Sequence, residues 1–173
     1  MVKSIILIAF ISVNCFAAEF AGPMGLKWGT KSKEVLKSVS GKLKFIEKSK
    51  AKDAVGDLQI AFNGEFVGIK TQTIEMEFLK DKLIAFSAVY PSSSDAYTKI
   101  IKIMKDKYGE PETKKSSNEA AKSESWSFSN DTQLLVAENM ENEGKPVIIV
   151  FIFQKSIIES QNKKQKERID SDL

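Results

Sequence analysis

Glu75 and Glu77 come nearest, by type and spacing, to residues that could do catalytic chemistry. Two carboxylates two positions apart share one face of a strand, where one could give a proton and the other take it, as in carboxylate-dependent hydrolysis. The sequence shows no second clustered pair and no aromatic platform for a sugar, so the pattern predicts a solvated sheet face, and a small carboxylate-dependent hydrolase is the outermost functional reading. Glu138, Glu141 and Glu143 surround Asn139 and Asn142 and have the chemistry to touch calcium. They lack the Asp-x-Asp/Asn-x-Asp/Asn-Gly order of a calcium loop and read as a wet hairpin. No Ser-x-x-Lys opens a helix together with the partner motifs of Ser–Lys catalysis; Ser32, Ser38 and the serines after Pro111 read as structural. Lys99, Lys102 and Lys105 form a basic helix face that solvation accounts for. Asn130-Asp131-Thr132 is a formal glycosylation triplet on a turn and reads as a chance match.

The chain of 173 residues has no histidine, and its single cysteine is Cys15. Cys15 lies in what reads as a secretory leader over residues 1–18: Lys3, an apolar run over 5–13 (IILIAFISV), then Asn14-Cys15-Phe16-Ala17-Ala18 with small residues at the cut. The run is too short for a membrane span, and cleavage after Ala17 or Ala18 is expected. A lipoprotein anchored through Cys15 is the lesser reading, because Ser12-Val13-Asn14 is a poor lipid-attachment box. Without its leader the chain has neither thiol nor imidazole, which excludes disulfides, thiolate nucleophiles, Cys/His zinc sites and the usual proton shuttle at neutral pH. No cofactor is expected. The net charge of +3 is too balanced for an electrostatic nucleic-acid footprint.

The elements that must position these residues are legible in part. The stretch 90–111, YPSSSDAYTKIIKIMKDKYGEP, has a readable start, body and stop. Ser92 and Asp95 have capping-box spacing, Tyr97, Ile100, Ile101, Met104 and Tyr108 fall on one helical stripe, and Gly109 with Pro111 ends the helix. Before it, Pro23 to Thr30 leads into a short helix through Val35, Leu36 and Val39, against which Trp28 is expected to pack. A lysine-rich edge strand follows near Phe45. Asn63-Gly64 carries the two-residue hairpin signal, with Phe62 facing Glu65, Ile60 facing Val67 and Leu58 facing Ile69. Ile74, Met76 and Phe78 alternate with polar residues, and Leu83 to Tyr90 is a further strand. After a polar loop over 112–124, Trp126 and Phe128 alternate with serines, 132–137 is a strand, and 147–153 (VIIVFIF) is apolar on both sides. Residues 155–173 read as a charged tail or frayed helix.

Gly25-Leu26-Lys27-Trp28-Gly29 before Ser32-Lys33-Glu34-Val35, together with Phe78-x4-Leu83 and the helix end Lys107-Tyr108-Gly109-Glu110-Pro111, resembles small uncharacterised bacterial envelope proteins. The layout is similar to the helix-plus-meander repeats of beta-lactamase inhibitor protein and of the small outer-membrane assembly lipoproteins. The resemblance covers about residues 25–153 and rests on cap and turn residues, so it implies a fold rather than a set of functional residues.

The expectation is one α+β domain over 19–154, an antiparallel sheet of about seven strands with two main helices on one face. Its function is expected to be that of an exported, periplasmic or secreted, non-enzymatic binding protein with a protein partner in the cell envelope. The main alternative is a proteinaceous inhibitor of an envelope hydrolase. If Val147, Ile149, Phe151 and Phe153 are turned to the helices, Ile148, Val150 and Ile152 point away, with Leu135 and Ala137 or Val89 extending an apolar patch for a partner or a homodimer; the alternative is a central, buried strand, or a tail that covers it through Ile157 and Ile158.

Overall fold

The computed structural model describes residues 20–50, 56–112, 122–142, 144–161 and 163. The leader over 1–18, with Cys15, lies outside the described residues, as does most of the polar loop after Glu112.

Alternation of apolar and polar residues makes most of the strands, with the last, over residues 145–154, apolar on both faces, and one apolar set from each of the five interior strands of the sheet turns to the core. A 3₁₀ turn at Pro23–Gly25 leads to α1 (Ser32–Val39). Then come β1 (Lys44–Ser49), β2 (Leu58–Asn63), the two-residue strands β3 (Glu65–Phe66) and β4 (Ile69–Lys70), β5 (Thr73–Leu79) and β6 (Lys82–Pro91). The second half runs α2 (Ser94–Tyr108), β7 (Ser123–Ser127), β8 (Thr132–Asn142), β9 (Lys145–Gln154) and a short helix α3 over residues 155–161. Seven strands form one antiparallel sheet in the order β1-β2-β5-β6-β9-β8-β7. Each half is a helix followed by a meander, and the two meanders join where the last strand of one, β6, pairs with the last strand of the other, β9.

The core lies between the helices and one face of this sheet. Val35 and Val39 of α1 and Ile100 and Met104 of α2 share it with Ile60, Phe62, Ile74, Met76, Phe86 and Tyr90, all buried. Ser93, not Ser92, caps α2: its hydroxyl accepts the Ala96 N–H at 3.2 Å, so the helix starts one residue later than expected. Gly109, at φ 82, closes the other end with its N–H on the Lys105 carbonyl. Helix α1 has no cap of its own and borrows one: the Asp81 carboxylate takes the Ser32 N–H and hydroxyl. Trp28 reaches the second half of the chain, its indole N–H donating to Thr132 Oγ1 at 2.7 Å.

The structure corrects the expected hairpin at Asn63-Gly64. Strand β2 pairs with β5, Leu58 opposite Phe78 and Phe62 opposite Ile74, and residues 64 to 72 make a side excursion whose own tight turn is Val67-Gly68. Both turn residues have positive φ, 51 and 72, as the favoured two-residue turn requires. Thr71 closes the excursion by donating its N–H and hydroxyl to the Gly64 carbonyl. Pairing β2 with β5 wins because it lines up apolar residues along the whole strand and lets Phe66 swing into the core beside Phe86, ring centroids 4.7 Å apart. Glu138 departs from the wet hairpin as well, lying buried at the bulge that shifts the β8–β9 register between Ala137 and Met140.

Candidate binding face

Helices α1 and α2 pack on one side of the sheet, so the side chains on the other side define what the molecule can present. Directly opposed residues of neighbouring strands share a face, which lets the register map it. One row runs Ser49, Gln59, Glu77, Ala85, Phe153, Gln133 and Ser127; the next runs Glu47, Ala61, Glu75, Ser87, Phe151, Leu135 and Ser125. A third carries Thr73, Val89, Ile149, Ala137 and Ser123. The face is acidic and polar over β2 and β5 and apolar over β9 and β8.

Between these regions the residues of β6 are small. Ala85 and Ser87 separate Glu77 and Glu75 of β5 from Phe153 and Phe151 of β9; Ala85 is wholly covered, and a furrow opens over Ser87 between Glu75 and Phe151. Strands lie about 4.8 Å apart, so the two walls stand roughly 10 Å from each other. The Phe151 and Phe153 rings stack with centroids 4.7 Å apart at an interplanar angle of 30°. Toward Val89, Ile149 and Met140 the furrow opens into a hollow of about 340 Å³. Met140, on its rim, is 41% exposed.

The carboxylates are half-buried and feel it. Burial raises the pKa of Glu75 against hydrogen bonds from the Gln59 amide and the Ser87 hydroxyl, and the neighbouring Glu47 pushes the same way as burial. Burial raises Glu77 too, opposed by the Gly56 N–H and assisted by the charge of Glu75. Among the described residues the ion pairs are Lys105 with Glu110 and Lys155 with Glu159, so no described cation pairs with Glu47, Glu75 or Glu77.

The expected partner-binding residues divide. Leu135 is partly exposed on the open face, directly opposite Phe151. Ile148, Val150 and Ile152 are not there: each is 0% exposed and belongs to the core beneath the helices. They sit opposite Tyr90, Ala88 and Phe86, whose side chains are core, and antiparallel neighbours share a face. Ile149, Phe151 and Phe153 take the outward places instead. The furrow's aromatic wall was therefore missed, although it lay in the sequence as the outward half of a strand apolar on both sides. Helix α3 flanks the lower corner of this face: its Ile157 and Gln161 border a second hollow with Leu79 and Ile84. Asp131 anchors it, taking the Ser156 N–H on its carboxylate at 3.1 Å and the Lys155 N–H on its carbonyl at 2.9 Å.

Among the described residues no group of three or more acidic, histidine or cysteine side chains could hold a metal ion, and no helix is long and apolar enough to cross a membrane. No protein-family model, curated protein or solved structure matches the chain.

Proposed function

We propose that this chain is an exported, non-enzymatic binding protein that engages a protein partner in the cell envelope through the open face of its sheet. The observation that carries the reading is the outward row of Ile149, Phe151, Phe153 and Leu135, partly exposed on the side of the sheet away from α1 and α2. A contiguous apolar patch on one sheet face is the usual mark of an interaction site. Export rests on the leader-like sequence over 1–18.

A photo-crosslinking residue placed at Met140, on the rim of the face, tests the reading in cells expressing the full chain, with Lys102 on the exposed side of α2 as the control. Adducts of one discrete mass from Met140 and none from Lys102 are expected. Equal labelling at both positions, or none at Met140, overturns the proposal. Export is checked on the same material: the N-terminus of the purified protein should begin at Ala18 or Glu19.

A further inference from the structure

The open face sets side by side an acidic wall with no ion-pair partner among the described residues and a stacked aromatic wall, with Ser87 between them. We propose that the furrow over β6 receives a basic segment of the partner, with Lys or Arg side chains laying their carbon stems on Phe151 and Phe153 and their charged heads at Glu75 and Glu77. The inference rests on the proposed binding function and names the partner's chemistry.

Three features of the face favour a cationic occupant over the others. First, every position in the three rows is neutral or acidic, so a second copy laid over those rows would set Glu47, Glu75 and Glu77 against neutral or acidic residues. Burying unpaired charge is costly, and like-charge juxtaposition suppresses association. Second, a neutral apolar ligand would cover the aromatic wall and remove the remaining water from carboxylates that burial already disfavours in their charged form. An arriving cation reverses that penalty. Third, the spacing suits long basic side chains, whose apolar stems lie along hydrophobic surface while the head seeks charge, and whose cations are attracted to ring faces. Ala85 is wholly covered, so the room for an incoming chain lies over Ser87, where the hollow is lined by Glu75, Val89, Ile149 and Phe151.

Fluorescence anisotropy with three labelled peptides of equal length, alternating Leu-Arg, Leu-Ser and Leu-Glu, tests this on protein purified after expression of the full chain. The Leu-Arg peptide should bind about tenfold more tightly than Leu-Ser, lose that advantage as salt rises, and outcompete Leu-Glu, which should not bind measurably. The double variant Glu75→Gln/Glu77→Gln should bring Leu-Arg to the level of Leu-Ser, while Glu34→Gln on α1 changes nothing. Phe151→Ser should weaken Leu-Arg and Leu-Ser alike; should that variant not fold, the carboxylate pair still decides. Equal binding of the neutral and basic peptides, binding of the acidic one, or discrimination that survives the double variant overturns the inference. Sedimentation showing a wild-type dimer that Phe151→Ser dissociates would assign the face to a second copy and overturn it too. A Met140 adduct without any preference for the basic peptide would leave the binding function standing and remove only the charge assignment.

Discussion

Glu75 and Glu77 tie the open face to folding stability. Both pKa values are raised by burial, so in the interval above the ordinary carboxylate value of 4.5 the folded chain holds more protons than the unfolded one. Stability linked to these groups is fully present below that value and is lost as pH rises through the raised folded values. Removing the charge should therefore help at neutral pH and be silent in acid. Glu75→Gln keeps an oxygen to accept from Gln59 and Ser87, and should melt higher than wild type at pH 7 and level with it near pH 4. A variant that melted lower at pH 7 would mean that the folded chain stabilises the charged form of Glu75 and that its pKa is not raised. The carboxylates could be placed on one face from their spacing alone. Their significance could not, because the residues that give them a ligand-like setting, Ser87, Phe151 and Phe153, come from strands 10 and about 75 residues further along the chain.

At the scale of the element, legibility followed the number of independent signals that agreed. Helix α2 had an apolar stripe, a polar cap and a glycine stop, and the structure differs by the shift of the cap from Ser92 to Ser93 and by leaving Tyr97, Ile101 and Tyr108 of the stripe half-buried. Ile100 and Met104 carry its packing at 0% exposure. Ile100→Ala should cost about 2–5 kcal/mol in denaturant unfolding, Ile101→Ala clearly less, and Lys102→Ala nearly nothing. Equal midpoints for Ile100→Ala and Lys102→Ala would mean that the helix is turned about its axis. Strand β9 shows the opposite situation. A run apolar at every position has no alternation, so its phase is set by neighbours, and an error of one residue exchanges every side chain between faces. The Asn63-Gly64 turn failed for a related reason: a short-range turn signal competed with the long-range β2–β5 pairing, and Val67, a β-branched residue at φ 51, gave no sign that it would occupy a turn.

At the scale of the whole molecule, the topology predicts how the chain unfolds. Its two helix-and-meander halves share one sheet only through the β6–β9 seam, yet the core runs across that seam without a break, from Val35 and Val39 through Phe86 and Tyr90 to Val150 and Ile152. Side-chain hydrogen bonds also cross between the halves, the Trp28 indole on Thr132 and Asn130 Nδ2 donating to the Phe20 carbonyl at 2.7 Å, as do the Phe20 ring contacts with Tyr108 and Phe128. A continuous core of this size favours one cooperative transition over two. The two tryptophans make this measurable, since Trp28 spans the halves and Trp126 lies buried in the second, its N–H on the Gly109 carbonyl at the end of α2. Thermal curves read by tryptophan fluorescence and by far-UV circular dichroism should therefore coincide. Ile148→Ala, which opens a void at the seam opposite Tyr90, should shift both curves down together by the equivalent of about 2–5 kcal/mol. Ile149→Thr, one residue away and facing outward, keeps strand propensity and should shift them little. Two separated transitions in the wild type would mean that the halves fold independently and that β9 joins β6 only as an edge. A larger loss for Ile149→Thr than for Ile148→Ala would reverse the phase of β9 and remove the aromatic wall from the open face.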